Sequence, residues 1–119
     1  MMEVFKEYSF NSAHMLPNVP PGHKCARIHG HTFIVSIHVS GDLKDDYDWV
    51  VDYAEISDIV RPVIAILDHQ YLNDIARLEN PTSENLAKWI WDKVAGQLPG
   101  LCKVMVKENP TTGCIYTGI

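Results

Sequence analysis

Hydrophobic residues recur along this chain with two different periods, and the change between them divides it. His31, Phe33, Val35, Ile37 and Val39 alternate with other residues until Gly41-Asp42, which predicts a half-buried strand over residues 32–40. Val4, Lys6, Tyr8 and Phe10 alternate more loosely, and β-rich composition predicts an earlier strand over 3–14. From Tyr53 the period lengthens. Ile56, Ile59, Val60, Val63, Ile64 and Leu67 form a stripe at helical spacing over 53–67, with Asp52 as the cap and Pro62 expected to bend or break the helix. A second helix is predicted after Asn80-Pro81-Thr82-Ser83-Glu84, capped by Thr82 or Asn80. It would bury Leu86, Ile90, Val94 and Leu98 and stop at Pro99-Gly100. Cys102, Val104, Val106 and Glu108 then alternate with Lys103, Met105 and Lys107, and a short strand over 113–117 completes a hairpin across the turn 109–112.

The predicted order is β-β-α-α-β-β over a single domain, residues 1–119. Two hairpins separated by two helices point to an α+β fold: a four-stranded antiparallel sheet with both helices on one face. The other face is left bare and both edges free, so a homo-oligomer is expected. The loop 15–28, with Pro17, Pro20, Pro21 and Gly22, reads as irregular, and it is long enough to suggest function.

Charge and composition narrow the partners. A net charge of −5, a pI near 5.6 and no Lys/Arg cluster longer than two residues argue against nucleic acid and leave a small-molecule substrate. No apolar run approaches the roughly 20 residues of a membrane span, and Met1 to Lys6 lack the pattern of a signal peptide, so a cytoplasmic protein without a membrane partner is expected. Three cysteines form no pairing framework, which fits a reducing compartment. Cys102 and Cys114 read as small buried fillers.

Chemistry concentrates in Cys25-Ala26-Arg27-Ile28-His29-Gly30-His31. On a strand, His29 and His31 face the same way, about 6–7 Å apart along the chain, close enough to share one ion. Gly30 between them would admit a close backbone or ligand. A catalytic Zn²⁺ needs three protein ligands and one open position; His14, at the end of a strand that could pair with the 32–40 strand, is the best third. Cys25 lies in a polar loop beside Lys24 and Arg27, the electropositive setting of a reactive thiolate. His23 and His38 are read as an ordinary loop residue and an opposite-face residue.

Two carboxylates add candidates. Asp68-His69 follows the first helix and is either an acid–base pair working with Cys25 or a helix-terminal histidine placed for the dipole; neighbours in sequence face each other less neatly than a through-space pair. Glu108 shares a strand face with Val104 and Val106. It is either a solvated strand end or an acceptor for paired N–H donors such as those of a pterin or guanine.

Taken together, Phe10-x-x-Ala13-His14, Cys25-x-x-x-His29-Gly30-His31, Leu67-Asp68-His69, Tyr71-Leu72-Asn73, Asn80-Pro81-Thr82-Ser83-Glu84 and Lys107-Glu108 resemble the 6-pyruvoyltetrahydropterin synthase family. Pro20-x-Gly22-His23-Lys24-Cys25, Trp89-Ile90-Trp91-Asp92 and Gly113-Cys114-Ile115-Tyr116 are similar to its bacterial 6-carboxytetrahydropterin synthase branch in queuosine biosynthesis. The resemblance implies the tunnelling fold, with sheets joined into a barrel in trimers or hexamers. It also implies zinc on His14, His29 and His31, a pterin held by Glu108 at a subunit interface, and an acid–base set of Cys25, Asp68 and His69. The implied reaction of this zinc-dependent lyase converts 7,8-dihydroneopterin triphosphate to 6-carboxytetrahydropterin, acetaldehyde and triphosphate. The alternatives are the pyruvoyl-forming elimination of triphosphate and a non-catalytic metal- or purine-binding module. Where many relatives carry Arg-Leu after the first zinc histidine, this chain has Met15-Leu16 and lacks a cation for the triphosphate. Lys24, Arg27 and Lys107 are the available substitutes, with the role unassigned.

Overall fold

The computed structural model describes residues 1–119. Its elements are β1 (Met2–His14), β2 (His29–Gly41), α1 (Tyr53–Leu67), α2 (Ser83–Val94), β3 (Leu101–Asn109) and β4 (Thr112–Tyr116), with single 3₁₀ turns at Lys24–Ala26 and Leu72–Asp74. The four strands form one antiparallel sheet in the order β1-β2-β3-β4, and the expected order and class hold. β1 and β2 pair along their whole length, from Met2 opposite Gly41 to His14 opposite His29.

Alternation decides which face is covered. Tyr8, Phe10, Phe33, Val35, Ile37, Val39, Val104 and Val106 turn inward and form one core with Ile56, Val60, Leu67, Leu86 and Ile90 of the helices. Burying side chains of this size is worth about 1.5–3 kcal/mol each. Phe10 and Phe33, opposite one another in the ladder, stack with centroids 4.9 Å apart. The other face carries exposed Phe5 and Ile115 beside Glu3, Glu7 and Asn11.

Local details depart from the periodic reading. α1 is continuous through Pro62 rather than broken there, because proline forfeits one backbone bond while the apolar stripe still packs on both sides of it. Asp52 caps α1 by accepting from the Ala54 amide, and Thr82 caps α2 by accepting from Asn85. α2 ends at Val94, ahead of Pro99-Gly100, and Leu98 is buried from the turn that follows. Cys102 does not share the Val104 face. A register shift opposite His38/Val39 turns its thiol to Glu3 Oε1 at 3.6 Å, on the open side. Cys114 is half-buried and packs against the core as expected, whereas Cys102 is half-buried on the open side, and burial pushes both thiols up.

Candidate active site

The end of the β1–β2 ribbon, where His14 faces His29, is where the candidate residues collect. One ligand atom from each of His14, His29 and His31 lies within 4.8 Å of the others. Strand geometry places them: His29 and His31 share the inward face, and antiparallel register brings in His14 from sequence positions far upstream.

Hydrogen bonds set the rings. His14 Nδ1 donates to the Pro81 carbonyl at 2.8 Å, and His29 Nδ1 donates to the Arg27 carbonyl at 2.7 Å. These bonds turn the Nε2 lone pairs free, the arrangement usual for a metal-bound histidine. His14 is 1% exposed, and its Nε2 is buried with no hydrogen-bond partner. Such an orphan is costly unless something coordinates it. Burial pushes the imidazoles of His14 and His31 below their ordinary range, which keeps the neutral, ligating form. The donor set therefore fits a transition-metal ion.

Cys25 and Glu108 join this cluster on one side. With Lys24, Asn109, His29, Gly30 and His31 they line a cavity of about 330 Å³. Glu108 occupies a second irregularity. Lys107 pairs with Gly113 and Asn109 with Thr112, so Glu108 is the extra residue of a β-bulge. Glu108 keeps the inward face of Val104 and Val106, which is also that of His29 and His31, and lines the cavity there. Gly113 is required here, because a Cβ would stand 2.7 Å from the Val106 carbonyl oxygen. Gly30 has no such need within the chain: its Cβ would meet only the Ser12 carbonyl oxygen at 3.6 Å.

Asp68 and His69 lie apart from the cluster: His69 shares an open cavity with His31, and Asp68 lines a neighbouring one with Tyr8 and Arg61. The segment after α1 runs along the outer edge of β1: His69 N–H donates to Asn11 O at 2.6 Å and Ala13 N–H to Gln70 O at 2.9 Å. Buried Ser12 donates to the Leu67 carbonyl and accepts from the Gln70 amide at 3.1 Å. Asp68 Oδ1 accepts from the Asn11 amide at 3.0 Å, and Oδ2 lies 2.9 Å from His69 Nδ1. The Asn11 amide, with the His69 side chain second, holds the Asp68 carboxyl below its usual range. The adjacent pair does face itself after all, because His69 takes φ 55°, a left-handed conformation uncommon for a residue with a Cβ. His69 lines a different cavity, about 570 Å³, which shares only Gly30 and His31 with the Cys25 cavity.

Two residues shape this site without having been singled out chemically. Asn73 clamps the chain leaving His14, accepting from the Met15 amide at 3.0 Å and donating to its carbonyl at 2.8 Å. Pro81 supplies the carbonyl that orients His14. Both lie in motifs quoted above, but main-chain partners leave no mark on side-chain chemistry. Lys24 and Lys107 each line a cavity wall at Glu108. His38 stands apart on the open face, 2.9 Å from Glu3, whose carboxyl His38 and then Lys103 hold below its ordinary range.

The family model described as 6-pyruvoyl tetrahydropterin synthase matches residues 3–119. The chain is 41% identical over 123 residues to a 6-carboxy-5,6,7,8-tetrahydropterin synthase of Synechocystis, covering 98% of this chain and 93% of that protein. A protein of the same name from Bacillus subtilis is 35% identical over 126 residues, covering 96% and 84%. The solved 6-pyruvoyl tetrahydropterin synthase of Caenorhabditis elegans has the same fold, with a TM-score of 0.90 at 24% identity, covering 99% of this chain and 96% of that one. A full-length family match, relatives at this identity and a shared fold lead to one conclusion: the chain belongs to the 6-pyruvoyl tetrahydropterin synthase family.

Proposed function

We propose that this chain is a zinc-dependent 6-carboxy-5,6,7,8-tetrahydropterin synthase. It takes 7,8-dihydroneopterin triphosphate and releases 6-carboxytetrahydropterin, acetaldehyde and triphosphate, in the cytoplasmic route to queuosine. The observation that carries the reading is a cavity lined by Cys25, Glu108, His29 and His31, with buried His14 clustered behind the two lining imidazoles. The names of the Synechocystis and Bacillus subtilis relatives support the choice of product.

His14, His29 and His31 hold the zinc, which when bound acidifies side-chain hydroxyls and stabilises enolate-like charge. Glu108 accepts paired N–H bonds from the pterin ring and fixes its orientation. Cys25, beside the histidines, moves a side-chain proton as thiolate and thiol. His69 exchanges a proton at Nε2 while Asp68 holds its Nδ1–H. Because Cys25 and His69 line different cavities in one chain, the acid–base set is completed at an interface between copies. The exposed apolar residues of the open face and the free edge of β4 suit closure of several sheets into a barrel, as a trimer or hexamer.

The direct test of these roles is Cys25→Ala. It should keep zinc and pterin binding and lose turnover by about 10²–10⁴-fold, the usual contribution of a positioned acid or base. Near-normal turnover in a zinc-replete variant contradicts the assignment, and loss of zinc makes Cys25 a ligand instead.

A further inference from the structure

The loop between β1 and β2 is less irregular than its prolines suggest. His23 has an extended backbone, φ −66° and ψ 138°, and its Nδ1 accepts the Cys25 amide hydrogen at 3.1 Å. That bond caps the single turn Lys24–Ala26 in the way a Ser, Asp or Asn caps a helix, from the side chain to the second amide of the turn. Two main-chain bonds complete the turn, Ala26 N–H to His23 O at 3.0 Å and Arg27 N–H to Lys24 O at 3.3 Å. His23 is itself fixed by its own N–H, which donates to Pro20 O at 3.1 Å over Gly22 at φ 85°. On the far side of the peptide, Leu16 N–H donates to Cys25 O at 2.8 Å, two residues beyond His14. The main chain of Cys25 is thus gripped at its amide by His23 and at its carbonyl by the segment leaving a metal-competent histidine.

We infer that His23, which the sequence reading set aside as an ordinary loop residue, is a positioning residue for Cys25. Its imidazole does no chemistry on substrate; it supplies an acceptor that aims the thiol into the cavity of His29, His31 and Glu108. The inference rests on the proton-transfer role proposed for Cys25. Without the cap, the Cys25 amide loses its partner and the turn loses one of its fixed points. A displacement of about 1 Å at a reacting group costs on the order of 10²-fold in rate. This bond is exposed, so water replaces part of it and the expected loss is smaller.

The experiment compares His23→Ala with His23→Asn, which restores a capping acceptor without an imidazole. Each is assayed for kcat, KM, zinc content and the rate of Cys25 alkylation by iodoacetamide, mapped by peptide mass with Cys102 and Cys114 as internal references. His23→Ala should lower kcat about five- to tenfold and change the Cys25 alkylation rate, with KM and zinc unchanged, and His23→Asn should return kcat to within about twofold of wild type. In a Cys25→Ala background His23→Ala should have no further effect on residual rate. Wild-type kcat in His23→Ala, an equal loss in His23→Asn, or additive losses in the double variant would each overturn the assignment; the second of these outcomes makes the imidazole itself chemical. If Cys25→Ala alone turns over normally, the catalytic reading of Cys25 fails, and the alkylation rate still decides whether His23 places the thiol.

Discussion

Asp68 and His69 are neighbours in the chain and partners in space, with Oδ2 2.9 Å from Nδ1. His69 has a left-handed backbone, and main-chain bonds to the edge of β1 hold the segment there. Asp68→Asn keeps an oxygen for the Asn11 amide but presents an NH₂ to His69. The imidazole must then accept at Nδ1 and carry its proton on Nε2, the wrong tautomer for a base. Turnover should fall by about 10–10²-fold, part of the contribution of a positioned base, with zinc content unchanged. A wild-type kcat in Asp68→Asn would show that the pair is structural.

Glu108 lines the cavity of Cys25, His29 and His31 at a slip of the β3–β4 register. Glu108→Gln replaces one acceptor by a donor, and pterin binding should weaken by about 1.5–3 kcal/mol, the scale of a charge-assisted hydrogen bond. Titration calorimetry with a substrate-like pterin measures it. Intact affinity with a depressed kcat would move Glu108 from anchoring to catalysis.

Acid should destabilise the metal-free protein through His14. Burial lowers its folded pKa below the ordinary 6.5, so the unfolded chain binds protons more readily than the folded one. That contribution is fully present above pH 6.5 and is lost as pH falls below it toward the folded value. His31 shifts in the same direction, also by burial. Urea midpoints of chelator-treated protein should therefore decline as pH falls below 6.5, and His14→Gln should flatten that decline. An equal pH dependence in His14→Gln would remove His14 as its source.

Much of this arrangement was legible from the residues because period and register are local properties. The alternation through Phe33, Val35 and Ile37 implies that His29 and His31 share the buried face, and a hairpin-like pairing then needs only a partner strand ending in His14. What was not legible depends on one-residue departures from period. The register shift beside Cys102 re-aims a side chain, and the left-handed φ of His69 reverses an expectation about adjacent groups. The grip of Asn73 on Met15 and of Pro81 on His14 runs through main-chain atoms, which every residue possesses and no pattern marks. The early end of α2 has the same origin, since Leu98 satisfies the helical spacing while being buried from a turn.

The central claim is that zinc on three histidines, with Cys25 and Glu108 beside it, removes two carbons from a pterin side chain. The most direct measurement is the mass of the product formed from 7,8-dihydroneopterin triphosphate by the zinc-loaded protein, beside the same protein stripped by a chelator. The account predicts 6-carboxytetrahydropterin with one acetaldehyde per turnover in the first and no product in the second. A pyruvoyl-tetrahydropterin mass without acetaldehyde, or undiminished turnover after the metal is removed, would contradict it.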